Sequence, residues 1–183
     1  MNAEIDVTGV VLKTERLTLR PFRETDLQDF FEYASVEGVG EMSGWIHHKN
    51  IQDSKAILEI FLSEKKTFAI ELDGKVIGSV GIEKYNEEVL PELNDKLGRE
   101  IGFVLSKDYW GRGIMPEAVK AVIEYLLNDL HHDFVVCGHF AGNTQSKRVQ
   151  EKCGFKPYKM SKYKTEYGEI KDNCINIIFL GLE

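Results

Sequence analysis

The sequence predicts an α/β fold built on a mixed, mostly antiparallel sheet. Two strand-like runs, Thr67 to Leu72 and Lys75 to Tyr85, flank Asp73-Gly74, a dipeptide that suits a two-residue hairpin turn, so these strands should pair antiparallel. Farther along the chain, Ile101 to Leu105 and Phe134 to Gly138 are predicted strands with a helix between them. A strand, helix, strand unit implies a parallel pair, so the sheet should contain both strand orientations.

One strand and two helices are predicted before the hairpin. Val10 to Pro21 alternates apolar and polar residues, which is typical of a half-buried strand. Glu24-Thr25-Asp26 supplies a capping signal, and the apolar residues from Leu27 to Ala34 then follow with helical spacing. A second helix is predicted from about Asp53 to Glu64.

The C-terminal half alternates between loop, helix and strand. Asn86 to Leu97 is acidic and carries a proline, which predicts a surface loop, either a solvated insertion or a lid over a nearby site. An apolar stripe indicates a helix from Pro116 to Leu130, and a short helix should run from Asn143 to Cys153. Two further strands are expected, at about Phe155 to Tyr163 and Cys174 to Leu180.

Composition limits the class of protein. With 183 residues and 43% hydrophobic content, the chain suits one domain, residues 10–183, preceded by a flexible tail, residues 1–9. We predict a cytoplasmic location, because no signal pattern or membrane span is evident. A net charge of -7 argues against nucleic-acid or anionic-membrane partners. Three scattered cysteines predict no disulfide framework, and the paired histidines lack a third ligand, so no metal is expected.

The sharpest local signal is the turn YWGRGIMPEA, from Tyr109 to Ala118, between a strand and a helix. Its glycines allow backbone amides to approach a ligand closely, and the start of the helix that follows attracts anions. A phosphate group would fit there, although glycines also serve in ordinary tight turns. The turn lacks the GK[ST] of a P-loop, and Pro116 replaces the third glycine of a dinucleotide fingerprint.

Three blocks of sequence together resemble the GNAT superfamily of N-acetyltransferases, in particular its RimJ/RimL-type branch of ribosomal-protein N-terminal acetyltransferases. The blocks are LKTERLTLRPFRETDL from Leu12 to Leu27, EIGFVLSKDYWGRGIMPEA from Glu100 to Ala118, and NTQSKRVQEKCGF from Asn143 to Phe155. The resemblance extends from about Leu12 to Leu182. It implies helices on both faces of the sheet and a central parallel pair that splays apart.

The resemblance also implies that acetyl-CoA, the co-substrate, binds in the wedge between the splayed strands around Val104 and Val136. Main-chain groups of one strand would bond the pantetheine arm, the amides from Arg112 to Met115 would hold the pyrophosphate, and an asparagine would bond the arm again. The implied cofactor-binding residues are Phe103, Val104, Leu105, Gly111, Arg112, Gly113, Ile114, Met115 and Asn143.

Two residues match catalytic positions of the family. Glu100 matches an acidic residue that acts as general base in some members, and Ser146 matches a hydroxyl near the thioester sulfur. Ordinary structural roles remain open: Glu100 as a solvated or ion-paired strand-end carboxylate, Asn143 as a helix cap, and Ser146 as part of the first helical turn. Gln150 stands where many members carry a tyrosine acid.

The acceptor site is implied to include Trp45, His47 and His48, which fall between the first two helices, although surface or core placement remains open for each. The predicted reaction is direct attack of a primary amine, on a peptide N-terminus or a small cationic molecule, on the acetyl thioester. A catalytically silent acetyl-CoA sensor or binding module with the same fold is the alternative. The protein is expected to be a monomer or a homodimer.

Overall fold

The computed structural model describes residues 1–181 of the chain, so residues 182–183 of the predicted domain lie outside the described residues. The strands are β1 (Leu12–Lys13), β2 (Thr18–Pro21), β3 (Thr67–Leu72), β4 (Lys75–Glu83), β5 (Gly98–Leu105), β6 (Phe134–Phe140), β7 (Lys156–Lys164) and β8 (Ile170–Phe179). The helices are α1 (Leu27–Ala34), α2 (Ile51–Glu64), α3 (Ile114–Glu124), which continues as a π-helical segment (Tyr125–Asp129), and α4 (Thr144–Lys152).

The eight strands form one sheet in the order β1-β2-β3-β4-β5-β6-β8-β7. All neighbours are antiparallel except β5 and β6, which are parallel and are connected through α3. The predicted hairpin joins β3 to β4, and both turn residues, Asp73 and Gly74, have positive φ, at 50° and 81°. The predicted mixed sheet, its hairpin and its parallel pair are therefore confirmed.

The helices cover both faces of the sheet because the apolar residues of the central strands alternate. Phe68 and Ile70 of β3 pack in one cluster with the apolar stripe of α3. Ala69, between them, packs on the opposite face with α1 and α2. Thr67 has the same parity as Ala69 and therefore lies on the α1 and α2 face. Within residues 1–181 no helix is long and apolar enough to cross a membrane.

The predicted strand from Val10 to Pro21 is two short strands joined by a turn. Thr14 closes this turn: its amide donates to the carbonyl of Leu17 at 3.0 Å, and its hydroxyl oxygen accepts from the Leu17 amide at 3.0 Å. A side chain that bonds its own backbone in this way favours a turn over a continuous strand, and the apolar alternation on both sides of it concealed the reversal.

Residues 1–9 do not form the flexible tail that we predicted. Val7 is fully buried in the core, and its amide donates to the Lys65 carbonyl at 2.8 Å. Ala3 is also buried, and its amide donates to the Gly98 carbonyl at 3.3 Å. Two buried apolar side chains and two backbone hydrogen bonds thus hold this segment against the rest of the domain.

The acidic loop at residues 86–97 is not a lid. Leu90 and Leu93 are buried in a cluster with Phe134 and Ile175, which holds the loop against the sheet. No residue of the loop lines the cavity described below.

Candidate active site

The parallel strands β5 and β6 separate partway along their length. Their register runs from Gly98 opposite Phe134 to Glu100 opposite Val136 and ends there. Beyond this point β5 stays paired with β4 as far as Leu105, and β6 stays paired with β8. The two strands therefore form a wedge, which opens into a cavity of about 860 Å³.

Most of the predicted cofactor-binding residues line this cavity, and Arg112 is the exception. Its guanidinium lies 5.3 Å from the centroid of the Tyr109 ring, and its carbonyl oxygen accepts a hydrogen bond from Arg16 Nη1 at 2.9 Å. The amide of Arg112 donates to no acceptor in the described part of the chain, so it can still contact an anion beside the cavity. The predicted residues that do line the cavity are Phe103, Val104, Leu105, Gly111, Gly113, Ile114, Met115 and Asn143.

The turn before α3 has the backbone shape of an anion site. Gly111 and Gly113 have φ values of 76° and 73°, in the left-handed region that favours glycine. The amides of residues 111–115 donate to no acceptor in the described part of the chain. The helix begins at Ile114 and not at Pro116, so the proline lies inside the first turn, where its missing N–H leaves no gap. Free amides at a helix N-terminus attract negative charge.

An ion pair from the β1–β2 connection braces this turn. Arg16 Nε and Nη2 lie 2.7 and 2.6 Å from Glu117 Oε2 in the first turn of α3. Glu117 Oε1 accepts from the Thr14 hydroxyl at 2.6 Å. Together with the Arg16 bond to the Arg112 carbonyl, these contacts hold the turn from its outer side and leave its amides free.

Glu100 faces the cavity at the point where β5 and β6 separate. Burial raises the pKa of Glu100 to about 7, and the charge of Glu83 adds to the increase. No salt bridge to Glu100 is present among the described residues. The carboxylate is thus neither freely solvated nor ion-paired, and such a group can accept a proton near neutral pH.

A buried amide network fixes the direction of the Ser146 hydroxyl, which lines the cavity. Gln150 is fully buried, and its Nε2 donates to the Gly138 carbonyl at 3.0 Å and to Ser146 Oγ at 3.1 Å. Its Oε1 accepts from Asn176 Nδ2 at 2.6 Å. Because a carbonyl oxygen can only accept, Gln150 must present Nε2 to it. Ser146 Oγ therefore accepts from Gln150 and keeps its own proton for a group in the cavity.

Asn143 makes the bonds of a helix cap, one of the roles left open by the sequence. Its Oδ1 accepts from the Ser146 amide at 3.1 Å, and its Nδ2 donates to the Met42 carbonyl at 3.3 Å. Each end of the amide is therefore already bonded within the protein. A pantetheine contact would have to use the second lone pair of Oδ1 or the second N–H of Nδ2.

The structure corrects the predicted acceptor-binding residues. Trp45 lines the cavity, but His47 and His48 do not. His48 is buried, and its Nδ1 lies 2.6 Å from Ser54 Oγ. His47 Nδ1 lies 2.7 Å from Glu41 Oε1. The buried His48 ring therefore packs within the connection between α1 and α2, and His47, whose side chain is 31% exposed, lies outside the cavity and is bonded to Glu41.

Many cavity-lining residues were not predicted as site residues, and Thr67 on β3, Glu83 on β4 and Tyr163 on β7 are among them. Glu83 lies directly opposite Glu100 in the β4–β5 register. The sequence predicts that Glu83 lies in a strand. Because the long loop at residues 86–97 separates β4 from β5, the sequence does not specify which residue of β5 is opposite Glu83.

The cysteines and possible metal ligands offer no second chemistry in the described region. Cys137 lines the cavity, but burial raises the pKa of its thiol well above the ordinary value. Burial also raises the pKa of Cys153 to about 11. Neither is therefore an activated thiolate. Among residues 1–181, no three His, Cys, Asp or Glu side chains are grouped to hold a metal ion.

Comparison with known proteins agrees with this geometry. The family model described as "Acetyltransferase (GNAT) domain" matches residues 16–156. The chain is 27% identical over 164 residues to the probable N-acetyltransferase YjcK of Bacillus subtilis (strain 168), covering 79% of this chain and 83% of that protein.

Solved structures show the same fold. A GNAT-family acetyltransferase from Bacillus anthracis superposes with a TM-score of 0.81 at 22% identity, covering 94% of this chain and 100% of that one. The ribosomal-protein-S5-alanine acetyltransferase of Vibrio fischeri gives 0.69 at 16% identity, with 94% and 97% covered. The microcin C7 self-immunity acetyltransferase MccE, solved with acetyl-CoA and AMP, gives 0.71 at 18% identity, with 91% and 93% covered. Because the family model matches most of the chain, this protein belongs to the GNAT acetyltransferase family.

Proposed function

We propose that this protein transfers the acetyl group of acetyl-CoA to a primary amine, on a peptide N-terminus or a small cationic molecule. The observation that carries the proposal is Glu100, a carboxylate with a pKa of about 7 at the apex of the wedge. Gly111, Gly113, Ile114 and Met115, whose amides are free, line the same cavity. Acetyl transfer from an anionic thioester to an amine requires a proton acceptor and an anion site on one cavity.

The residues present fit acetyl-CoA as the donor. The amides of residues 111–115 suit its pyrophosphate, and β5 has no partner strand on its β6 side beyond Glu100, which leaves backbone groups for the pantetheine arm. The Leu105 carbonyl is already used, because it accepts from Trp110 Nε1 at 2.9 Å. The acetyl-CoA complex of MccE, which has the same fold, supports this choice of donor.

The chemistry follows from two side chains. Glu100 accepts a proton from the acceptor ammonium: an N–H bond breaks, an O–H bond forms on the carboxylate, and the electron pair stays on nitrogen. Nitrogen then attacks the thioester carbonyl carbon, and the C–S bond breaks with its electrons leaving on sulfur. Ser146 gives its hydroxyl proton to that sulfur and regains a proton from the nitrogen, which loses its second N–H proton as it becomes the amide. Because Cys137 is a protonated, buried thiol, transfer is direct and does not pass through an acyl-cysteine.

Acidity favours an N-terminal amine over an internal lysine, and charge favours a small cationic amine. An N-terminal amine has a pKa of about 7.8 against about 10.4 for lysine, so its deprotonation costs roughly 3.5 kcal/mol less. The net charge of -7 attracts cations, although salt screens surface fields beyond about 8 Å. The loop at residues 86–97 lies off the cavity and acts only through this long-range field.

An amine panel tests the proposal. Short peptides with a free N-terminus and a polyamine should release free CoA thiol from acetyl-CoA, and product mass should increase by one acetyl group. Peptides with a blocked N-terminus and one lysine should react about 100-fold more slowly at neutral pH, because far less of their amine is deprotonated. Efficient reaction of only the blocked lysine peptides would contradict the acceptor choice and leave acetyl transfer standing.

An acetyl-CoA sensor is the competing function, and the same panel separates the two. A sensor would be stabilised by acetyl-CoA but would release no thiol with any amine. The pKa of Glu100, which is about 7, favours an acetyltransferase over a sensor. A binding module needs no proton acceptor at the apex of the wedge.

A double-mutant cycle tests whether Gln150 acts through Ser146. Gln150→Leu should lower turnover about as much as Ser146→Ala, by about 100-fold, the lower end of the effect of losing a positioned proton donor. The double variant should be no slower than either single variant, because both remove the same oriented hydroxyl. The KM for acetyl-CoA should stay unchanged in each.

Additive losses in this cycle would show that Gln150 has a separate, structural role. Thermal unfolding is the control for folding, because Gln150→Leu also leaves Asn176 Nδ2 without its acceptor, at about 1–3 kcal/mol.

A further inference from the structure

We propose that the acceptor is bound as its ammonium by three oxygen atoms, from Thr67, Glu83 and Glu100, above a floor made by Gly81 and Gly102. This inference rests on the proposed function and assigns a binding site for its amine. Thr67 and Glu83 thereby become specificity residues, and Glu100 both binds the cation and takes its proton.

The floor follows from strand register. Thr67 of β3 is opposite Gly81 of β4, and Gly81 is opposite Gly102 of β5. Two residues farther along β4, Glu83 is opposite Glu100 of β5. Because alternate residues of a strand share a face, all five lie on the same side of the sheet. Two glycines side by side leave that side bare, and a methyl group placed on Gly102 would meet nothing within 4 Å.

Two oxygen atoms without a hydrogen-bond partner in the described chain lie beside the bare floor. The point where a Cβ of Gly81 would lie is 3.2 Å from Glu83 Oε1 and 3.8 Å from Thr67 Oγ1. Glu83 is anchored through its other oxygen, since Oε2 accepts from Lys66 Nζ at 2.5 Å. This contact orients the carboxylate of Glu83, whose side chain is 46% exposed, with Oε1 toward the floor.

Thr67 supplies an independent sign that a ligand belongs here. The residue is only 4% exposed and lines the cavity, yet its hydroxyl has no hydrogen-bond partner among residues 1–181. Buried hydroxyls are nearly always bonded, so an orphaned one beside a cavity is explained by a polar ligand. Glu100 is the third oxygen group, since its carboxylate also lines the cavity and no ion pair to it is present in the described chain.

A primary ammonium matches this set of groups. It carries three N–H donors and no acceptor, and Thr67, Glu83 and Glu100 each provide an oxygen acceptor on this side of the sheet. When Glu100 takes one proton, the two remaining N–H bonds match Thr67 Oγ1 and Glu83 Oε1. The neutral amine would thus remain oriented while its freed electron pair attacks the thioester. A fully methylated ammonium has the charge but none of the donors.

Substitutions at Thr67 and Glu83 separate this role from a structural one. Thr67→Val keeps the shape and removes the hydroxyl, and Glu83→Gln removes the charge. Each should raise the KM of the amine by about 10- to 100-fold, the scale of one hydrogen bond to a charged group, with the KM of acetyl-CoA unchanged. Thr67→Val should unfold at the wild-type temperature or higher, because it removes an unpaired buried hydroxyl.

Glu64→Gln is the matched control. Glu64 lies 2.9 Å from the same Lys66 ammonium but does not line the cavity. Its substitution perturbs the ion pair behind Glu83 and leaves the proposed pocket intact, so the KM of the amine should stay at the wild-type value.

Calorimetry with CoA in place of acetyl-CoA tests the site without turnover. The probes are alanyl-alaninamide, 1,4-diaminobutane and N,N,N-trimethyl-alanyl-alaninamide. The two primary ammonium compounds should bind the wild type and Glu64→Gln equally, and Thr67→Val and Glu83→Gln about 10- to 100-fold more weakly. The trimethylated peptide should bind none of them measurably.

Wild-type affinity in both site variants, equal binding of the trimethylated peptide, or no binding of either primary ammonium compound by the wild type would overturn the site. An absence of thiol release from acetyl-CoA would instead contradict the proposed function, and the calorimetry would still decide whether the ammonium pocket exists.

Discussion

Replacing Glu100 with glutamine should lower turnover by about 100-fold or more at neutral pH, the usual effect of losing a general base. Glutamine has nearly the shape of glutamate but cannot accept a proton from the ammonium. The KM for acetyl-CoA should stay unchanged, because the amides of residues 111–115 are untouched. Initial rates of thiol release at varied acetyl-CoA measure both quantities.

The pH profile gives a second signature of the same substitution. With a pKa of about 7, Glu100 becomes a proton acceptor as the pH increases through neutrality, so wild-type turnover should increase over that interval. Glu100→Gln lacks this titration. Its deficit should shrink at alkaline pH, where solvent deprotonates an N-terminal amine whose pKa is about 7.8.

Stability should change in the opposite sense to activity. Burial raises the pKa of Glu100 from 4.5 to about 7 in the folded protein, so the folded state holds the proton more tightly than the unfolded state does. Protonated Glu100 therefore stabilises the folded state. This contribution to the free energy of unfolding is complete below pH 4.5 and is lost as the pH increases through about 7. Glu100→Gln avoids that loss and should be more stable than the wild type above neutral pH, by up to about 3 kcal/mol.

Denaturant unfolding at acidic and alkaline pH measures this difference. A slower but more stable variant marks Glu100 as a residue kept for its chemistry. Unchanged turnover with an unchanged pH profile would instead make Glu100 structural and place the proton acceptor elsewhere.

The sequence was most informative where local patterns and the fold agree. Asp73 and Gly74 have the positive φ values that their hairpin needs, so β3 and β4 were placed correctly. The strand, helix, strand unit around α3 likewise required only alternation, helical spacing and the rule for parallel pairs. Both features depend on residues close together in sequence.

The acceptor side was predicted poorly because it depends on contacts that are distant in sequence. Glu83 and Glu100 face each other only through the β4–β5 register, and Thr67 joins them from β3. His48 matched a family region, but its ring is buried beside Ser54 of α2. Strand register and packing between helices decide which side chains meet, and the periodicity of a single segment specifies neither.

Replacing Gly113 with glutamate should abolish the stabilisation of the protein by acetyl-CoA. A ligand that binds only the folded state at about 100 times its Kd adds roughly 2.7 kcal/mol to stability. For a chain of this size that corresponds to about 5–10 °C in the unfolding temperature of the wild type. The Cβ of this glutamate would lie 3.7 Å from Arg16 Nη2, so its carboxylate would compete for the Arg16 ion pair that braces the turn. It would also add a negative charge to the turn whose amides, those of residues 111–115, are proposed to bind the pyrophosphate, so the variant should show almost no shift.

Backbone strain must be separated from loss of the anion site, because Gly113 has a φ of 73° and any side chain there is strained. Gly74→Glu is the matched control: its φ is 81°, its Cβ would meet nothing within 4 Å, and it lies in the β3–β4 turn away from the cavity. Both variants should unfold at a lower temperature than the wild type without ligand, since each strained residue costs about 1–3 kcal/mol. Only Gly74→Glu should recover the full increase as acetyl-CoA is added. A folded Gly113→Glu protein that keeps the wild-type increase would contradict the assignment of these amides to the pyrophosphate.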